Sequence, residues 1–198
     1  MADTIHSPAP GVDDHPSLRL VDSAGELPGG KRFDELATPE SATAWVIAHD
    51  LAAPQALLYE YCRGRLVGLR DAVRDLMTAQ VNGSAPGRES VRALNDALTS
   101  APGAMRLQFE QGAGFVRSAE HPATQVLEHV MAAIAEDAAA LLTGEEAPML
   151  AVCEADSCDR FFLRTHARRQ WCSTRCGDRV RAARASARKR AALSDHPA

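Results

Sequence analysis

The sequence predicts an α+β chain. A mainly helical N-terminal domain with a small β-hairpin is followed by a cysteine-rich C-terminal unit that ends in a basic helix. Three observations predict it. Apolar residues recur at spacings of three and four through several segments, the period of a helix with one buried face. One segment alternates apolar and polar residues on either side of Gly112-Ala-Gly114, the period of a strand pair. Four of the five cysteines fall within the 24 residues from Cys153 to Cys176. At 198 residues the chain suits one domain with a small appendage. A core of about 130–140 residues is feasible at that length.

The elements follow in order. Met1 to Ser17, with prolines, acids and few large apolar residues, is expected to be disordered. Leu18-Arg-Leu-Val21 reads as a short strand and Gly25 to Gly30 as a loop. Thr38-Pro39-Glu40 is a helix start: a Thr cap, Pro at the first helical position and an acid in the first turn. That helix carries Trp45, Ile47 and Leu51, and Pro54 ends it. A second helix is expected from Gln55 to Gln80, with Leu58, Cys62, Leu66, Leu69, Val73 and Leu76 inward. A third runs from Arg88 to Leu98, with Val91, Leu94 and Leu98 inward. Met105 to Phe109 and Phe115 to Arg117 form the hairpin. A fourth helix spans Pro122 to Leu142 with Val126, Leu127, Val130, Ile134, Ala138 and Leu141 inward. Thr143 to Pro148 is expected to be a hinge. The domains are therefore 1–17, 18–146 and 147–198.

Composition excludes several classes. Hydrophobic residues make up 45% and charged residues 24%, the balance of an ordinary globular protein. No run of 18 apolar residues occurs, so no membrane-spanning helix is expected. The first 16 residues lack the basic start and apolar stretch of a signal peptide, which points to the cytoplasm. No Gly-rich phosphate loop or nucleophile elbow is present, and His49, His121 and His129 form no ligand pattern. An enzyme is not expected.

The net charge of −4 hides a segregation. From Cys153 to Ala198 there are 11 Lys+Arg against 5 Asp+Glu, a charge of +6, so the first 152 residues carry −10. Between Arg160 and Arg190 the only acid is Asp178. A basic tail on an acidic body suggests an appended polyanion-binding element.

The four clustered cysteines are spaced Cys153-x4-Cys158-x13-Cys172-x3-Cys176. Two close pairs, separated by a dozen or so residues, match the way a chain wraps a tetrahedral zinc ion. Disulfides are disfavoured in a cytosolic protein. Four thiolates fill the coordination shell, so one structural Zn2+ per chain is expected, with His166 as the competing ligand. The lone Cys62 reads as a small buried residue. Phe161-Phe162-Leu163 should pack over the zinc site and against the last helix, and Trp171 should anchor packing rather than stack on a base. Metal binding would supply much of this unit's folding free energy. Ser173 caps a last helix from Thr174 to Ala192. The residues expected to contact DNA are Arg164, Arg168, Arg169, Arg175, Arg179, Arg181, Arg184, Arg188, Lys189 and Arg190. Arginine suits bidentate phosphate contact and reading of guanine edges.

These residues resemble the CGNR zinc-finger family. The resemblance rests on Cys153, Cys158, Phe161-Phe162, Arg169, Trp171-Cys172-Ser173 and Cys176-Gly177-Asp178-Arg179, followed by a basic helix. Asp178 stands where the family's name motif has Asn. The upstream body resembles the ABATE domain, the usual partner of that finger. The resemblance implies a treble-clef-like zinc finger and a bacterial, stress-related transcription regulator. Its finger would bind DNA and its N-terminal domain would sense an unknown small-molecule or protein ligand. Two other readings stay open. The module could bind RNA, although its aromatics look structural. It could also be an adaptor that docks an acidic partner or the chain's own acidic body. A homodimer is common among such regulators, but no heptad seam marks one.

Overall fold

A computed structural model of the chain describes residues 8–27, 31–101, 105–119, 125–156 and 158–194. Helix α1 covers Pro16–Asp22, where a strand is expected. Pro16 presets the first helical φ, and Leu18, Leu20 and Val21 are all buried. The helix packs on several neighbours at once, so its apolar residues show neither strand nor one-faced helix spacing. From Ala9 into the first turn of α1 the chain packs on the body, against the expected disorder. Ala9 and Val12 are buried, and Ser17 donates its hydroxyl to Asp137 Oδ2 at 2.5 Å. His15 Nδ1 lies 2.9 Å from Asp137 Oδ1. Met1 to Ser7 lie outside the described residues.

Strands β1 (Ala24–Leu27) and β2 (Lys31–Asp34) pair antiparallel, with Gly25 opposite Phe33. The loop expected over Gly25 to Gly30 is thus partly a hairpin strand. Helix α2 (Pro39–Ala48) begins as its sequence signals: Thr38 and Ser41 form a reciprocal capping box. It ends earlier than Pro54, because Asp50 takes a left-handed conformation at φ 56°. The Asp50 and Leu51 amides then donate to Ile47 O and Val46 O, which closes the helix.

Helix α3 (Glu60–Asn82) starts five residues after the expected Gln55 and closes at Gly83 in the left-handed region. It is the central element and packs against α1, α2, α4 (Arg88–Thr99) and α5 (Val126–Thr143). Leu66, Leu69, Val73, Leu76 and Met77 are buried along it. On α4 the expected inward set is corrected: Leu94 and Ala97 are buried, but Val91 is 39% exposed. On α5, Leu127, Val130, Ile134, Ala138 and Leu141 are buried as expected. Strands β3 (Met105–Glu110) and β4 (Gly114–Ala119) form the expected hairpin. Its Leu107, Phe109 and Phe115 side chains are exposed, with the two rings edge to face at 5.3 Å. No helix among the described residues is long and apolar enough to cross a membrane.

The expected hinge is a packed junction. A 3-10 turn at Ala147–Met149 leads straight into β5 (Leu150–Val152), which pairs with β6 (Phe161–Leu163). On its other side β6 meets the N-terminal segment, where the Leu163 amide donates to Pro10 O at 2.8 Å. Gly11 makes this approach possible: its φ is +90°, and a Cβ there would lie 2.8 Å from Leu163 Cγ. Phe161 and Phe162 therefore join the body's core instead of covering only the cysteines. A unit of some 46 residues cannot bury two phenylalanines by itself, and the body supplies the surface.

Candidate metal centre

The metal site grows from two short turns. Cys153 follows β5, and its amide donates to Arg160 O at 2.9 Å. The Cys158 amide donates to Ala155 O at 3.1 Å, which curls the chain back toward Cys153. The second pair sits at the start of helix α6 (Thr174–Ser194). Ser173 caps that helix as expected, accepting from the Cys176 amide at 3.2 Å. The Cys172 amide donates to Cys153 Sγ at 3.4 Å and joins the two pairs.

All four sulfurs lie within 4.8 Å of one another. Cys172 and Cys176 are 3.6 Å apart, Cys158 and Cys172 3.8 Å, and Cys158 and Cys176 3.9 Å. A tetrahedron with Zn–S bonds of about 2.3 Å has edges of about 3.8 Å. A disulfide would need about 2.05 Å. Three of the four cysteines are buried and Cys158 is half-buried. Mutual hydrogen bonding, working against burial, lets one sulfur carry charge at the expense of its neighbours. The Cys158 and Cys172 thiols pull Cys153 well below the ordinary thiol range, and hydrogen bonding to Cys153 pushes Cys172 up. A divalent ion bound between Cys153, Cys158, Cys172 and Cys176 would hold all four as thiolates. The donor set fits one structural zinc ion. His166, the competing ligand, is exposed and outside the cluster.

Several arginines read as DNA contacts have structural roles here. Arg169 donates from Nε to Trp171 O at 3.1 Å and from Nη2 to Cys172 O at 3.2 Å. Its guanidinium also lies over Phe162. Arg179 donates to Asp156 O at 2.9 Å and approaches Cys176 Sγ at 3.8 Å, which ties α6 to the first turn. Arg181 pairs with Asp178 at 2.6 Å and stacks over Trp171. Arg164 is half-buried. The remaining six, Arg168, Arg175, Arg184, Arg188, Lys189 and Arg190, are exposed. Trp171 packs against α6: a Cβ on Gly177 would lie 2.9 Å from its Cε3. From Arg181 to Ala191 every residue of α6 is exposed.

The seam between body and finger holds residues that sequence reasoning missed. Arg160 grips Asp22 from Nε and Nη2 at 2.6 and 2.5 Å. Arg74 on α3 reaches Asp159 Oδ2 at 3.1 Å and Val21 O at 2.8 Å, and lies over the Phe161 ring. These partners are far apart in the chain, and no local spacing announces them. Beside the seam lies a cleft of about 560 Å³ whose lining includes Arg32, Phe33, Asp34, Arg70, Arg74 and Asp159. Within that lining Arg70 is buried and clamps Asp34 through 2.6 and 3.0 Å bonds.

A helical body carrying a four-cysteine zinc finger in its own core is the class that fold and site define. Residues 14–145 match the ABATE family model, described as "Putative stress-induced transcription regulator", and residues 149–189 match the CGNR zinc finger. The chain belongs to the ABATE family, with a CGNR zinc finger attached. No curated protein is matched.

Proposed function

We propose that the chain is a zinc-dependent DNA-binding regulator. The observation that carries this reading is α6, a helix whose first turn holds Cys176 and whose outer half presents cations to solvent. The zinc site orders the helix start, and the helix offers arginine to phosphate. Six of the ten arginine and lysine residues read as DNA contacts are exposed and stand outside the internal contacts described above. If each meets one phosphate, log affinity falls with log salt at a slope of about −5 on duplex DNA.

The experiment is a fluorescence-anisotropy titration of the zinc-loaded full chain on duplex DNA between 50 and 300 mM salt, on the order of the range where counterion release is read. A steep slope supports the proposal. Absence of binding at the lowest salt, or binding indifferent to salt, contradicts it. A structured RNA competing better than duplex DNA would move the assignment to RNA.

For the N-terminal domain, the seam cleft is the place we assign to a signal. Its lining combines Arg32 and Arg70 of the body with Asp159 of the finger, so an occupant touches both parts. Pockets at such junctions are favoured ligand sites.

A further inference from the structure

We infer that α6 enters the major groove of duplex DNA with phosphates on both of its flanks, instead of lying across one strand's backbone. The inference rests on the DNA-binding reading above and specifies the surface that the helix occupies.

The first observation is composition. Between Arg181 and Ala191 the helix contains only Arg, Lys, Ala and Ser. An amphipathic helix that fills an apolar groove needs anchors at spacings of three and four, and this stretch has none. Its partner is therefore polar and anionic.

The second observation is angular. Arg184 and Arg188 are four residues apart and share a face. Arg190 is two residues beyond Arg188, which places it about 160° away around the helix. Lys189 falls between them, about 100° from Arg188. All four are exposed. A helix laid on one flat anionic surface would use a single stripe and leave the opposite cations uncompensated. The major groove of B-DNA offers a phosphate backbone on each side, across about 12 Å.

The third observation is girth. A helix with its side chains is about 10–12 Å across. Ala182, Ala183, Ala185, Ser186 and Ala187 keep this one at the slim end and leave its backbone free to approach the base edges. The exposed stretch of 11 residues is about 16 Å long, which spans roughly five base pairs.

The test compares two 24-base-pair duplexes with the zinc-loaded full chain. One is unmodified; in the other every cytosine is glucosylated 5-hydroxymethylcytosine, which fills the major groove. Affinity for the modified duplex is expected to fall at least tenfold, while netropsin in the minor groove leaves binding unchanged. Equal affinity for both duplexes, or displacement by netropsin, overturns groove entry and leaves the DNA-binding reading standing. No binding to the unmodified duplex overturns both. In parallel, Arg188→Gln and Arg190→Gln are each expected to reduce the magnitude of the salt slope by about 1. Both residues are exposed and away from the cysteines, so zinc content serves as the check on folding. A reduction in only one of the two variants means one-sided contact and overturns the inference.

Discussion

Arg160 and Asp22 form a two-point ion pair between the zinc finger and the end of α1, at 2.6 and 2.5 Å, with both side chains largely buried. Burial opposes the charge on Arg160, and the Asp22 carboxylate more than offsets it, so its pKa rises. Removing Asp22 would take away the carboxylate that offsets the burial of Arg160. Asp22→Ala is expected to destabilise the chain by about 3–5 kcal/mol, the usual cost of breaking a buried pair. Urea denaturation of the zinc-loaded protein measures it. A loss under about 1 kcal/mol, the size typical of exposed pairs, would mean the seam is wet.

The shared core leads to a second expectation. Phe162 is fully buried among residues of both parts. Phe162→Ala should cost about 3–5 kcal/mol. Residues 1–148 produced alone should expose the surface that β5 and β6 cover, bind a hydrophobic dye and lose a sharp thermal transition. Calorimetry of the truncated and full chains checks this. A body that melts at an unchanged temperature would show that the two parts fold independently.

Two glycines set close approaches. A Cβ at Gly177 meets the Trp171 ring at 2.9 Å, and one at Gly11 meets Leu163 at 2.8 Å. Overpacking of this kind costs about 1–3 kcal/mol. Gly11→Ala adds backbone strain, because its φ is +90°. Chemical denaturation should therefore rank Gly11→Ala as the more damaging change. The reverse ranking would place the tighter constraint at the tryptophan.

Asp34 gives a pH dependence. Partial burial raises its pKa, but hydrogen bonds from Arg70 and the Leu36 amide outweigh this, so it lies below 3.8. The folded state thus holds the proton less tightly than the unfolded one. Its stabilisation is fully present above 3.8 and is lost as pH falls through the lower folded value. The stability difference between wild type and Asp34→Asn should be constant from pH 5 to 7 and shrink below about 4. A difference that grows on acidification would contradict the sign.

Local signals made much of this structure legible. The Thr38-Pro39-Glu40 start, the α3 stripe and the β3–β4 hairpin rest on neighbours in sequence, and the structure follows them. The four cysteines were legible because a metal site imposes spacing on the chain. Leu18 to Val21 was not, because Leu18, Leu20 and Val21 are buried on several sides and lose any period. The β1–β2 hairpin was hidden by glycines that read as loop. The start of α3 at Glu60 was hidden too, since Leu58 is buried in extended chain as it would be in a helix. The roles of Arg169 and Arg179 came from backbone carbonyls they reach only after folding. The seam of Asp22, Arg74, Asp159 and Arg160 joins residues up to 138 apart, and tertiary packing alone defines it.

X-ray absorption at the zinc edge, with zinc quantified per chain, tests the account most directly. The full-length protein should contain one zinc ion with four sulfur neighbours at about 2.3 Å. Cys172→Ser should lose the ion and the order of α6. A spectrum with nitrogen or oxygen neighbours in place of sulfur, or a folded protein without zinc, would contradict it.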